Sequence, residues 1–405
     1  MRAPVSLFRR FLFALTASLG STLLTLLALE GVFRLVLPPS PVIVISDASN
    51  APTGAPRVEK RALEKVEVAD VSTLFYRTKD RGTRLRPNTD AFLPMFGYDG
   101  NVRIRSNSLG VRHEELPAKR LDEFRILVLG DSIVFGAELN EPQTFVGLMQ
   151  KALEDRWKRV TVINAAIPAS NTRDQFYRYL ELREAVHADV VLIGMYLNDA
   201  QESSYFRVWS LADPYRRSRL LSWIAQKTQL VARFGEMSLR GRELDALEYE
   251  AFWARFAAGR TFPPSRGIPY DVRTRDEMDT IFYNARNDFG LSLDPDSWTR
   301  IAPYVSAIRD QAALDGTKLR IALFPVRWQV ESSFLEERPQ QYFRKMCADL
   351  SVECRDLLPP MRLWHGEGKY IHIDGCHLVK GGHAEVARDF VAWLDGLGDL
   401  PRRSF

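Results

Sequence analysis

Cysteine is scarce in this chain: three residues in 405, Cys347, Cys354 and Cys376. None stands in a Cys-x-x-Cys pair, which excludes a redox motif of that kind. An odd count cannot pair completely. Cys347 and Cys354 would close a short loop, and a Cys354–Cys376 bridge is the alternative. There is no Gly-x-Gly-x-x-Gly or Walker-type loop to cradle a nucleotide. There is no Gly-x-Ser-x-Gly elbow, so the α/β-hydrolase form of a serine site is absent. Excess charge is lacking too, since 55 basic and 51 acidic residues leave a net +4. With no basic arm and no RNA-binding signature, nucleic acid is not an expected partner. His365, His372, Asp374, His377 and His383 fit no common zinc spacing, so neither a metal nor a cofactor is expected. The chain has no internal repeat.

What is present is a long apolar start. Phe11–Leu29 is a run of 19 uncharged residues behind Arg2, Arg9 and Arg10. As a helix it would span about 28 Å, close to the roughly 30 Å of bilayer hydrocarbon. The basic flank should stay cytoplasmic and place the remaining chain outside. The run exceeds the apolar core of a cleavable signal peptide and continues through Glu30 and Arg34 to Leu37. Residues 1–37 are therefore expected to be a cytoplasmic tip and transmembrane anchor. Residues 38–69, with five prolines between Pro38 and Lys60, read as a linker. Residues 70–120 carry short β-like pieces and turn signals such as Tyr98-Asp-Gly-Asn101, and read as a small β-rich lead-in.

With 46% of its residues apolar, the chain can bury a large core. From Phe124 onward, apolar runs alternate with amphipathic helical stretches. Strands are expected at Phe124–Leu129, Val160–Ile167, Asp189–Tyr196, Leu319–Val326 and Val352–Leu357. Helices are expected after Pro142, over Arg173–Ala185 and Ile301–Leu314, near Pro339–Leu350 and after Gly381-Gly382. Repeated βα units imply a three-layer α/β/α fold with a mostly parallel sheet, over residues 121–199 and 299–396. The intervening residues 200–298 are too long for a βα connection. They read as an inserted helical cap whose many aromatics, among them Trp209, Trp223, Phe252, Trp253, Phe256 and Tyr270, pack within it.

Ligands of an open parallel sheet bind beyond the strand C-termini. Gly130-Asp131-Ser132, Asn164 and Asn198-Asp199 fall at such ends, and Asp374-Gly-Cys-His377 lies in the loop before the last helix. Acyl transfer needs a nucleophile, a base, a group that orients the base and donors for the oxyanion. Ser132 supplies the hydroxyl, His377 can take its proton, and Asp374 is close enough in sequence to reach the imidazole Nδ1. Backbone N–H groups of Ser132 and Ala166, with the Asn198 amide, would hold the oxyanion.

Leu129-Gly-Asp-Ser132 with Phe135-Gly136, Asn198-Asp199 and Asp374-Gly-Cys-His377-Leu378, in that order, resemble the SGNH, or GDSL, hydrolase superfamily. The resemblance covers roughly Phe124 to Leu394, and Arg105-Ser-Asn-Ser-Leu-Gly-Val-Arg112 is similar to the lead-in of membrane-anchored bacterial members. It implies Ser132 as nucleophile, His377 as base, Asp374 as its partner and Asn198 as an oxyanion donor. Two positions depart from the pattern. Ala166 stands where the family's Asn-x-Gly block has glycine, and Tyr196 stands where glycine usually precedes the asparagine by two. Alanine keeps the N–H, and it is strained there only if the position demands positive φ. The resemblance further implies an extracytoplasmic serine esterase or O-acyltransferase at the bacterial inner membrane. Its ester would be small, such as acetyl, on an O-acylated polysaccharide. A catalytically silent glycan-binding or envelope-assembly protein is the other reading.

Overall fold

The computed structural model describes residues 7–36, 66–67, 74–77, 83–94, 101–157, 159–200, 220, 246–265, 268–286 and 288–401. The chain divides into two compact units, residues 1–42 with 209–241, and residues 43–208 with 242–405. In the smaller unit, helix α1 (Leu7–Val36) carries the apolar run. Its Ala14–Leu35 stretch, of mean hydropathy 1.5, is the one helix among the described residues long and apolar enough to cross a membrane. A signal sequence meets the same criterion. Glu30 accepts from Arg34 Nε (2.7 Å) and from the Leu220 N–H (3.0 Å). Residues 38–65 of the expected linker lie outside the described residues, as do Trp209 and Trp223, while Val66–Glu67 within it is a strand.

The larger unit opens with short strands, β1 (Val66–Glu67), β2 (Phe75–Arg77), β3 (Thr83–Leu85), β4 (Asp90–Pro94) and β5 (Asn101–Arg105). β2 and β3 pair antiparallel, and β4 lies between β1 and β5. Then come β6 (Phe124–Gly130), α2 (Ser132–Phe135), α3 (Phe145–Glu154), β7 (Val160–Asn164), α4 (Thr172–Val186) and β8 (Val190–Tyr196). Helices α5 (Ala246–Ala257), α6 (Arg275–Asn284) and α7 (Pro295–Leu314) follow, then β9 (Lys318–Phe324), α8 (Arg327–Glu331) and α9 (Arg338–Asp349). The unit closes with β10 (Glu353–Asp356), α10 (Leu358–Gly366) and α11 (Lys380–Gly396).

The expected α/β architecture is present. Five strands run parallel in the order β7-β6-β8-β9-β10. All seven residues of β8 are buried, as a strand covered on both faces requires. α3 packs with α11, while α4 packs with α7 and α7 with α9. The strand order reverses between β6 and β8, and this opens a crevice at their C-terminal ends.

Caps set the helix starts. Asp294 accepts from the Asp296 N–H (3.1 Å) and Pro295 takes the first helical position, so α7 begins six residues before the periodic stretch at Ile301. Asn171 caps α4 through the Asp174 N–H (3.0 Å). β7 stops at Asn164, three residues short of the expected end, because the Asn164 side chain turns the backbone there.

Leu74, Phe75, Leu85, Ala91, Leu93, Val102 and Ile104 of the lead-in are buried in the same core as the sheet. So are Met278, Ile281, Phe282, Leu291 and Leu293, from the stretch expected to be a cap. Phe252, Phe256, Phe262 and Tyr283 form a stacked series that Trp253 meets edge-on, with Phe262 and Tyr283 ring centroids 4.2 Å apart. Cys347 and Cys354 are joined in a disulfide, and Cys376 is free.

Candidate active site

β6 ends at Gly130 with φ +156°, and a Cβ there would lie 2.2 Å from Val134 Cγ2 and 2.6 Å from the Gly194 carbonyl oxygen. Only glycine lets the chain turn this tightly from strand into helix. Asp131, buried behind the turn, accepts from the Ile133 N–H (2.9 Å) and caps α2. Ser132 therefore occupies the first position of a helix fixed at both ends. At the other end the Arg112 guanidinium, fully buried, donates to the carbonyls of Phe135, Gly136 (3.0 Å) and Leu139 (3.0 Å). It also lies 4.6 Å from the Phe135 ring centroid, and the Arg112 backbone N–H donates to the Asn164 carbonyl (2.9 Å).

Asp374-Gly-Cys-His377 is a tight turn closed on itself. Asp374 Oδ1 accepts from the N–H groups of Cys376 and His377, both at 2.8 Å. Ile373 and Val379 N–H groups bond back to His377 and Ile371 carbonyls at 2.9 Å, fixing the loop's neck. The geometry that results is a continuous relay. Asp374 Oδ2 is 2.7 Å from His377 Nδ1, and His377 Nε2 is 2.9 Å from Ser132 Oγ. Residues 245 positions apart are thus brought within one hydrogen bond.

The electrostatics follow from these contacts. Burial opposes the Asp374 carboxylate, but the hydrogen bonds from His377 and the two N–H groups outweigh it and hold its pKa well below the usual carboxylate range. Burial likewise opposes the His377 imidazolium. The Asp374 bond, with contributions from Cys376 and Glu138, wins and raises the imidazole above its ordinary 6.5. Glu138 Oε1 lies 3.9 Å and Cys376 Sγ 3.6 Å from the same Nδ1. Burial pushes the Cys376 thiol up, and it raises the Asp131 carboxyl to about 7. Asp199 lies deeper, is raised well above 3.8 by burial and by Asp131, and accepts from Gln175 Nε2 and the Tyr196 N–H, each at 3.0 Å.

The expected oxyanion donors are arranged less simply. Ala166 is buried with no positive φ, so its methyl group is accommodated without backbone strain. Its N–H donates to Asn164 Oδ1 at 3.2 Å, while Asn164 Nδ2 donates to the Val134 carbonyl at 3.1 Å. Asn164 thereby ties β7 to the serine's helix. Asn198 sits in the single turn Leu197–Ala200 after β8, and its amide donates to the Asp288 carboxylate. Asp288 keeps an open side to solvent, yet protein crowds it elsewhere, and this desolvation raises its carboxyl pKa against the lowering effect of Asn198.

Several residues at the site carried no sequence signal of their role: Glu138, Asp288, Cys376 as a neighbour of Nδ1, and Gly194, beneath Val134. Arg112 was visible as part of the lead-in motif, but its carbonyl contacts are tertiary. Among the described residues, Asp374, Cys376 and His377 are the one trio whose ligand-type atoms lie within 4.8 Å of one another. His372 is buried at the neck of that turn, bridged to Leu378, and His383 is buried with its ring accepting from the Phe145 N–H (3.1 Å).

No protein-family model matches the chain, and no curated protein matches it. Solved structures do. TesA is 14% identical, with a TM-score of 0.36, over 67% of this chain and 99% of that one. The acetyl xylan esterase AlAXEase is 13% identical (TM-score 0.37), over 67% and 100%. A member of the lipolytic protein G-D-S-L family from Veillonella parvula DSM 2008 is 12% identical (TM-score 0.34), over 66% and 97%.

Proposed function

We propose that this protein is a serine ester hydrolase or O-acyltransferase of the SGNH type, working through an acyl-enzyme on Ser132. One observation carries the reading: the unbroken hydrogen-bonded path from Asp374 through His377 to Ser132 Oγ, at 2.7 and 2.9 Å. In this reading Asp374 fixes the tautomer with Nδ1 protonated, leaving the Nε2 lone pair for the serine proton. Ser132 Oγ attacks the ester carbonyl carbon as its proton passes to His377 Nε2. The tetrahedral oxyanion is held by the Ser132 N–H and the second N–H of the Asn198 amide. Ala166 N–H would join them by leaving Asn164 Oδ1. Collapse expels the alcohol, which takes the proton from His377, and leaves the acyl group on Ser132. Water or a sugar hydroxyl then repeats the steps in reverse, giving hydrolysis or transfer.

The small acyl group and O-acetylated glycan substrate rest on the sequence resemblance. The extracytoplasmic location, with α1 as the inner-membrane anchor, rests on the apolar helix behind three arginines. The Cys347–Cys354 disulfide supports it, since such bridges persist in oxidising compartments. The engagement of the Ala166 N–H by Asn164 favours the second reading, a catalytically silent glycan-binding protein.

A fluorophosphonate probe tests the proposal directly. Covalent labelling of the wild type, lost in Ser132→Ala, is the expected result. A folded wild type that takes no label would leave the silent reading standing. A reporter fused after Phe405 should be active only outside the cytoplasm.

A further inference from the structure

Three exposed apolar side chains of the larger unit lie beside the turn that carries Asp374 and His377. Tyr270 is 42% exposed, Tyr370 56% and Ile373 38%. Tyr370 and Ile373 belong to the segment that leads into Asp374. Tyr270 joins them through Arg327, whose guanidinium carbon stands 3.8 Å from the Tyr270 ring centroid and 5.5 Å from that of Tyr370. Trp328 continues the row, stacked on Tyr270 at 5.3 Å and on Phe289 at 5.8 Å.

This row is built onto the site. The Arg327 N–H donates to the Gly375 carbonyl at 2.9 Å. A Cβ on Gly375 would lie 2.9 Å from the Trp328 ring, so the turn carrying Asp374 and His377 rests directly on that indole. At the other end Phe289 follows Asp288, the partner of Asn198. The row is also rigid. Ser332 Oγ donates to the Tyr270 carbonyl (2.7 Å) and accepts from the Val272 N–H (3.0 Å). Glu331 holds Arg327 Nε at 2.7 Å.

We infer that Tyr270, Arg327, Trp328 and Tyr370 form a subsite for a neutral pyranose ring, the sugar that bears the ester; the inference rests on the proposed ester chemistry at Ser132. A sugar ring offers an apolar C–H face and a rim of hydroxyls. Tyr270 is covered by Arg327 and Trp328, so Tyr370, at the end of the row, supplies the matching π surface, while the phenol hydroxyls and the guanidinium edge meet the rim. A plain acyl chain would instead desolvate these polar groups without hydrogen-bonding them, which is costly. Glu331 already neutralises Arg327, so the shelf holds no spare positive charge for a uronate. Tyr370, the most open of the rings, is the residue on which the sugar depends most.

The test compares Tyr370→Ala and Tyr370→Trp with the wild type on two esters. The control ester is ethyl acetate, which carries no ring to stack on the shelf, and its kcat/KM should stay within about twofold in both variants. On O-acetylated xylotetraose, Tyr370→Ala should lower kcat/KM about tenfold through KM, and Tyr370→Trp should restore it. Equal losses on both esters, or no loss on the glycan, would overturn the inference. Titration calorimetry of Ser132→Ala with unacetylated xylotetraose separates the two proposals. Binding there, abolished by adding Tyr370→Ala, upholds the subsite even if the wild type proves silent. Absence of binding in a variant whose parent cleaves p-nitrophenyl acetate removes the subsite and leaves the ester chemistry. An acidic tetrasaccharide that binds more tightly than xylotetraose would overturn the assignment to a neutral ring.

Discussion

Gly130 and Gly194 are partners in the β6–β8 register, and Val134 of the serine's helix fills the space their missing side chains leave. A Cβ on Gly194 would stand 2.4 Å from Val134 Cγ2, so the two glycines set how closely α2, and with it Ser132, lies on the sheet. Gly194→Ala should destabilise the fold by about 1–3 kcal/mol through overpacking. Val134→Ala in the same molecule should recover much of that, a coupling readable in a double-mutant cycle of denaturant midpoints. Additive losses would mean that Val134 is not what the alanine meets.

The Asn198 amide should matter to the transition state more than to binding. Asn198→Ala is expected to lower kcat by about 10²–10³ with little change in KM, the loss typical of one oxyanion donor. Steady-state kinetics on p-nitrophenyl acetate would show it. An unchanged kcat would remove Asn198 from the oxyanion site.

A base must be unprotonated to accept the Ser132 proton. Because the Asp374 bond outweighs burial and raises the His377 pKa, kcat/KM should be lost as pH falls through a value above 6.5. Asp374→Asn removes the raising contact. The acid limb should then move to lower pH while kcat falls about 10⁴-fold, the tautomer no longer being held. A limb that stays in place in the variant would show that the observed titration is not that of His377.

Asp199 gives a stability counterpart with the opposite sense to an ordinary ion pair. Its folded pKa lies above the unfolded 3.8, so the fold favours the protonated form, and the ionised group costs stability above that value. Asp199→Asn keeps an acceptor for Gln175 and Tyr196 and never ionises. It should raise the unfolding midpoint at pH 8 more than at pH 5. The gain should grow by at most about 1.4 kcal/mol per pH unit up to the raised folded pKa. Equal effects at both pH values would contradict the burial argument.

Local pattern and polar spacing determined much of this protein. Apolar runs of strand length alternating with helical periods dictate a parallel sheet, because only burial on both faces tolerates strands such as Val190–Tyr196. Ser132, His377 and Asp374 were legible because each stands where a strand or loop must end at the sheet's C-terminal edge. Tertiary packing decided the rest. The starts of α7 and the end of β7 depend on caps and side-chain turns that periodicity does not register. The fusion of the lead-in with the main core, and of Met278–Leu293 with it, depends on which distant faces meet. The Gly-Asp-Ser tripeptide names a hydroxyl at a strand end. Only the fold brings His377 Nε2 to 2.9 Å from it, clamps its helix with Arg112 and ties that helix to Asn164 through the Val134 carbonyl. Hydrogen bonds and close contacts between residues far apart in the chain have no signature in local sequence, and they are what convert a turn into a candidate site.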